Sequence, residues 1–193
     1  NALTSLASFN GTNGASPVGS LTAGSGDLFY GTTSQGGTIG NGTIFSFDPT
    51  TNALTSLASF NGTNGASPVA SLTAGSGGLF YGTTSQGGTT NNGTIFSFDP
   101  TTNAITSLAS FNGTNGDQPS ASLTAGSGGL FYGTTKFGGI IGNGTIFSFD
   151  PTTNAITNLA NFNGTNGGTV FASLTAGSGG LFYGTTQFLS LIH

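Results

Sequence analysis

The stretch LFYGTTSQGGTTNNGTIFSFDPTTNAITSL, residues 79–108, decides the fold. It opens on a short apolar segment, Leu79–Thr84, that carries Phe80 and Tyr81. After a Gly-rich loop, Thr94–Phe98 sets Ile95 and Ser97 on one side and Phe96 and Phe98 on the other, the period-two alternation of a strand. Asp99-Pro100-Thr101-Thr102-Asn103 reads as a turn, because proline fixes φ and the Asp and Asn side chains bond nearby backbone. The segment from Ala104 to Phe111 fits a helical period as well as a strand. Its shortness, its Thr and Ser content and the turn signals on both sides favour a strand. A further short strand is expected just upstream, so the predicted set is 69–74, 79–84, 94–98 and 104–111.

The same reading recurs along the chain. Phe-Asp-Pro stands at Phe47, Phe98 and Phe149, and Tyr30, Tyr81, Tyr132 and Tyr183 keep the same step of 51 residues. The copies run 1–51, 52–102, 103–153 and 154–188, one repeat region throughout. Residues 189–193, Leu-Ser-Leu-Ile-His, abandon the pattern and match the translation of a sequencing-library adapter; they are expected to be a non-native tail. Four short strands in each repeat of this length is the pattern of a β-propeller blade. A blade packs against neighbours on both faces, which accounts for apolar side chains on both sides of Leu79-Phe80-Tyr81. With three complete blades and parts of a fourth, an open arc is expected rather than a closed ring. Its uncovered faces should associate.

Composition excludes several functions. Of 193 residues only 3% are charged, the net charge is −4, and a single Lys is the only strong cation. Binding driven by phosphate contacts to nucleic acid needs many cations. There is no Cys and the one His is terminal, so the usual zinc and iron–sulfur ligand sets are missing. No apolar run approaches the ~18 residues of a membrane span. Disordered chains are poor in aromatics, whereas here aromatics make up 11% and recur at fixed positions.

The segment 79–108 resembles the kelch pattern of an apolar strand, a Gly pair and an aromatic-Asp-Pro turn, although kelch repeats carry a Trp near Ile105. More closely, P…SLTAGSGGLFYGTTSQGG…NGTIFSFDPTTNALTSLASFNG resembles the GloVer tandem repeats of bacterial surface proteins with a variable C-terminal anchor, over essentially the whole chain to Phe188. The resemblance implies a kelch-like propeller on an exported, cell-surface or extracellular protein, and it brings no catalytic residues.

The residues that invite chemistry each have a plainer reading. Asp48, Asp99 and Asp150 come one per repeat and cap the turn before proline. Asp27 is replaced by Gly78, Gly129 and Gly180, which excludes a repeated calcium site. Asn-Gly-Thr at Asn10, Asn41, Asn61, Asn92, Asn112, Asn143 and Asn163 is formally a glycosylation acceptor but is read as a turn. No Ser/His/Asp set exists. No catalytic residue, metal site or cofactor is therefore assigned, and no enzyme is expected.

One feature singles out a surface. In a meander the second-to-third loops and the connections between repeats lie on one face, and the copies vary there: Ser34-Gln35, Ser85-Gln86, Lys136-Phe137 and Gln187-Phe188, with Ala15–Val18, Asp117–Ser120 and Gly168–Phe171. The candidate binding face is Gln35, Gln86, Asp117, Gln118, Lys136 and Phe137. The expected role is structural, adhesive or protein-interacting, with no identified partner. The alternatives are a carbohydrate-binding propeller facing a surface polysaccharide, and a fragment of an enzyme whose active site lies elsewhere.

Overall fold

In every repeat the third strand sets the layering. Thr94–Asp99 is buried on both sides: Ile95, Phe96 and Phe98 are all 0% exposed. A strand buried on both faces must lie inside a stack of sheets. The computed structural model describes residues 2–188 and shows that stack. The first sheet holds β1 (Ala15–Pro17), β2 (Thr22–Ala23), β3 (Phe29–Gln35), β4 (Thr43–Asp48) and β5 (Ala53–Ser59). The second holds β6 (Thr73–Ala74), β7 (Phe80–Thr84), β8 (Thr94–Asp99) and β9 (Ala104–Ser110). The third holds β10 (Thr124–Ala125), β11 (Phe131–Thr135), β12 (Thr145–Asp150) and β13 (Ala155–Asn161), and the last pairs β14 (Thr175–Ala176) with β15 (Phe182–Tyr183). The named strands all pair antiparallel, and apart from β1, which joins β3 alongside β2, each pairs with its sequence neighbour, as in propeller blades.

The blades are joined by one interface used repeatedly. Tyr30, Ile44, Phe60, Leu72, Phe80, Phe96 and Phe98 form a core between the first and second blades, and Tyr81, Ile95, Phe111, Leu123, Phe131, Phe147 and Phe149 form its counterpart between the second and third. Three tyrosines each meet a phenylalanine 50 residues on, at centroid distances of 5.0 Å (Tyr30–Phe80), 4.7 Å (Tyr81–Phe131) and 4.3 Å (Tyr132–Phe182). Polar groups repeat with the same step. Thr22, Thr73 and Thr124 hydroxyls donate to the carbonyls of Leu72, Leu123 and Leu174.

The predicted first strand is corrected by these contacts. A strand over 69–74 was expected, but only Thr73–Ala74 is regular. The Ser71 N–H donates instead to the Ser122 hydroxyl, and the Ser122 N–H to the Ser173 hydroxyl, so this segment bonds sideways into the next blade. The fourth strand matches, and its helix-like spacing has a cause. Ile95 pairs with Ala109 while Phe96 pairs with Ser107, so Leu108 is an extra residue in a β-bulge. Ile105 packs on the core shared with the first blade and Leu108 on the core shared with the third, so the strand carries apolar side chains on both faces.

The Asp-Pro turns form as the sequence implies. The Asp99 carboxylate accepts the Thr101 N–H at 2.8 Å and the Thr102 hydroxyl at 2.9 Å. Asn103 closes the turn at φ 57°, a left-handed position that asparagine tolerates. The Asn-Gly-Thr-Asn segments are turns too: Asn61 and Asn64 each donate a backbone N–H to the other's side-chain oxygen at 2.9 Å.

The arc is open among the described residues. Tyr183 is 60% exposed where Tyr81 is 6%, and Leu21 is 48% exposed where Leu72 is 3%. Residues 2–10 form no strand. Phe9 nevertheless holds its place, packing edge-on against Phe45 at 4.9 Å as Phe60 does against Phe96 at 5.0 Å. Residues 189–193 lie outside the described residues.

Candidate recognition groove

The variable segments are not independent loops. Asp117 and Phe137 exchange both backbone hydrogen bonds, at 2.9 and 3.0 Å, and the Lys136 N–H donates to the Gln118 carbonyl at 3.1 Å. Ala15 pairs with Gln35, Ala66 with Gln86, and Gly168 with Phe188 in the same way. The connection between repeats thus extends the inner edge of each blade. It is also stitched to the previous blade, since the Ser67, Gln118 and Thr169 N–H groups donate to the carbonyls of Asn41, Asn92 and Asn143.

This ladder brings four copies to one groove. Val18, Val69, Ser120 and Phe171 occupy the same position 51 residues apart, and all four line a cavity of about 470 Å³ together with Ser85, Gln118 and Lys136. The volume falls within the ~300–1,000 Å³ of ordinary ligand sites. Its wall is half apolar and half neutral polar, with one charge. The Lys136 ammonium lies 4.8 Å from the ring centroids of both Phe137 and Phe171, two cation–π contacts that hold it at the rim. Phe137 is 36% and Phe171 49% exposed. No carboxylate forms an ion pair with Lys136 among the described residues.

Of the six residues singled out from sequence, Gln118 and Lys136 line the groove. Gln35, Gln86 and Asp117 do not line it, and Phe137 reaches only its rim, where its ring lies 4.8 Å from the Lys136 ammonium. Gln35 accepts a long hydrogen bond from the Ser16 hydroxyl at 3.4 Å, and Gln86 is exposed. Asp117 is half-buried, and burial pushes its carboxyl above the usual value, partly offset by the Gln118 N–H. Sequence reading missed Val18, Val69, Ser85, Ser120 and Phe171 as site residues. The available signal was that 18, 69, 120 and 171 are one repeat position with three different residue types.

The Asp-Pro turns lie at the opposite end and behave as structural groups. Hydrogen bonds from Thr51 and Thr50 hold the Asp48 carboxyl below the ordinary value of about 3.9, and Asp99 and Asp150 are held down in the same way by Thr101 and Thr102 and by Thr152 and Thr153. A lowered folded-state pKa gives stability that is complete above the unfolded value and is lost as pH falls through the folded one. Amide-resolved NMR across pH 5 to 2 should therefore show the Thr50, Thr101 and Thr152 amides losing protection together below about pH 4. Asp99→Asn should remove that pH response at Thr101 alone; an unchanged response there would contradict the assignment. No group of three or more His, Cys, Asp or Glu comes together among the described residues, and no helix there is long and apolar enough to cross a membrane.

Comparison with known proteins agrees with the fold. The model of the Gloeobacter/Verrucomicrobia repeat matches residues 1–188. No curated protein matches the chain in sequence. Among solved structures, TolB from Acinetobacter baumannii is similar with a TM-score of 0.50 at 20% identity, over 80% of this chain and 34% of that one. An extracellular domain from B. thetaiotaomicron, assigned to the one-component system BT4673, is similar with a TM-score of 0.41 at 11% identity, over 90% of this chain and 26% of that one. The chain thus spans about a third and a quarter of the lengths of these two proteins. The TolB likeness is one of fold alone: the blades are those of a β-propeller.

Proposed function

The chain belongs to the Gloeobacter/Verrucomicrobia repeat family, and from that premise we propose that it is the blade region of an exported, non-enzymatic surface protein that adheres to a partner through the groove at Lys136. One observation carries this reading. The chain varies little between copies, yet the residues that do differ at positions 18, 69, 120 and 171 converge on a single cavity. Loops without a role drift independently; they need not share a wall. Extracellular placement is supported by the family, whose resemblance implies exported proteins.

A second reading, carbohydrate binding, is favoured by the half-exposed Phe171 ring in the wall with Gln118 and Ser120, and by the Phe137 ring at the rim against Lys136. Aromatic faces with neighbouring amide and hydroxyl groups suit a sugar's apolar face and its hydroxyls.

The test uses residues that the chain already tolerates. Lys136→Ser and Phe171→Val install the residues found at the equivalent Ser85 and Val69. The chain and this double variant are passed over immobilised neutral polysaccharides, acidic polysaccharides and bacterial surface-protein domains. The expected result is binding to one class that falls at least about tenfold, 1.4 kcal/mol, with an unchanged unfolding midpoint. Binding that survives the double substitution, or no binding to any class, would overturn the proposal. Phe137→Ala separates the two readings: it weakens sugar binding and leaves protein binding intact.

A further inference from the structure

The triplet Asn-Gly-Thr stands seven times in the chain, and the structure sorts the seven into two kinds. As a glycosylation acceptor the triplet must present two groups to an enzyme: the asparagine side-chain nitrogen and the hydroxyl two residues on. At Asn92 neither is free. Thr94 opens β8 and is 0% exposed. Its hydroxyl shares a 2.8 Å bond with the Thr84 hydroxyl and reaches the Asn64 carbonyl at 3.4 Å. The Asn92 Nδ2 donates to the Thr90 carbonyl at 3.0 Å. Thr43 and Thr145, which follow Asn41 and Asn143, are also 0% exposed and are bonded at 2.8 Å to the Thr33 and Thr135 hydroxyls.

At Asn61 and Asn112 both groups are open. Asn61, Thr63, Asn112 and Thr114 are exposed, on turns that follow β5 and β9. Each turn stands between two complete blades, so its surroundings do not depend on where the sequence begins or ends. The Gly88 and Gly139 N–H groups hold the turns in place, donating to the Gly62 and Gly113 carbonyls at 2.8 Å. The Thr63 and Thr114 hydroxyls each donate at 2.8 Å to the Oδ1 of Asn61 and Asn112, which also accept the Asn64 and Asn115 N–H groups at 2.9 and 3.0 Å. Bonds into the amide oxygen draw electron density from its nitrogen and ease loss of a proton there. The two Nδ2 groups themselves make no hydrogen bond among the described residues. Asn10 and Asn163 repeat the arrangement, with the Thr12 and Thr165 hydroxyls donating to their Oδ1 at 2.8 and 2.7 Å.

We propose that Asn61 and Asn112, and with them Asn10 and Asn163, are N-glycosylation sites of the folded chain, and that Asn41, Asn92 and Asn143 are not. The co-substrate is a prenyl-diphosphate-linked oligosaccharide. Nδ2 attacks C1 of its first sugar, the bond from C1 to the diphosphate oxygen breaks, the prenyl diphosphate leaves with the electron pair, and Nδ2 gives one proton to a base of the transferase. No oxidation or reduction takes place. The same triplet therefore has two uses: with its threonine inside β4, β8 or β12 it builds the blade, and with its threonine on the connection between blades it carries a sugar. None of the four exposed triplets lines the groove at Lys136, so the inference stands whether or not that groove binds anything.

The test incubates the whole folded chain with a prenyl-diphosphate-linked oligosaccharide and an oligosaccharyltransferase whose acceptor rule is Asn-x-Ser/Thr. Intact mass and glycopeptide mapping follow the additions. The expected result is addition at Asn61 and Asn112 at least about tenfold faster than at Asn92 and Asn143, because Thr94 and Thr145 are reached only by opening a blade. In urea-unfolded chain that difference should vanish, which separates the effect of the fold from that of the flanking sequence. Thr63→Ala should abolish addition at Asn61 and leave Asn112 unchanged, and Thr63→Ser should restore it. No addition to the folded chain, addition at Asn92 or Asn143 as fast as at Asn61 and Asn112, or addition at Asn61 indifferent to Thr63→Ala would overturn the inference.

Discussion

Replacing Phe96 with alanine should destabilise the chain by about 3–5 kcal/mol, the range for a large aromatic removed from a packed core. The ring is fully buried, meets Phe60 edge-on at 5.0 Å, and shares its core with Tyr30, Phe80 and Phe98 from two blades. Its loss removes transfer free energy and leaves a hole that neighbours cannot easily fill, because Gly82, directly beneath the ring, has no side chain to move into it. The effect should be cooperative across the interface, with hydrogen exchange rising in the first and second blades together. Phe137→Ala is the contrast: that ring is half-exposed at the rim, and its loss should change stability by less than about 0.5 kcal/mol. Urea unfolding of both variants checks the pair. A Phe96→Ala chain as stable as the parent would refute the interblade core.

Gly126→Val should be the next most damaging change, by about 1–3 kcal/mol for overpacking, or more if the blades separate. The backbone is not the reason, since Gly126 has φ −123°, an extended value open to any residue. The obstacle is the ring pair that joins the third blade to the last. A Cβ at Gly126 would lie 2.8 Å from Tyr132 Cδ2 and 3.0 Å from Phe182 Cζ, in the contact where the two rings sit 4.3 Å apart. Gly128 supplies the opposite case. It has φ 70° and nothing within reach of a Cβ, so Gly128→Ala should cost only about 1 kcal/mol, through backbone strain. Thermal unfolding that ranks Gly128→Ala as the worse of the two would contradict this account of the interface.

The second and third strands were legible in the sequence because everything that specifies them is local. Phe96 and Phe98 alternate with Ile95 and Ser97, and Asp99-Pro100 ends the strand with its own hydrogen bonds. The first strand was overextended because its pattern does not reveal that the Ser71 and Ser122 amides bond to serines 51 residues away. The fourth was ambiguous because a bulge at Leu108 breaks the alternation that identifies a strand.

The candidate site was legible by face but not by side. Comparing copies located the variable segments at one end of the blades, where the structure places them. Reading Lys136-Phe137 and Asp117-Gln118 as loops hid the strand pairing between them, which sets Lys136 and Gln118 on the wall of the groove. Convergence of Val18, Val69, Ser120 and Phe171 needed the interblade step itself, which the period of 51 residues does not encode.

The claim on which the account rests is that these four copies build one recognition surface. Heteronuclear NMR of the labelled chain, titrated with neutral and acidic polysaccharide fragments and with surface-protein domains, addresses it directly. The account predicts shift changes that saturate together at Val18, Val69, Lys136 and Phe171, residues as much as 153 positions apart in sequence, with the Asp48, Asp99 and Asp150 turns unmoved. Changes centred on those turns, or confined to one repeat, would contradict it.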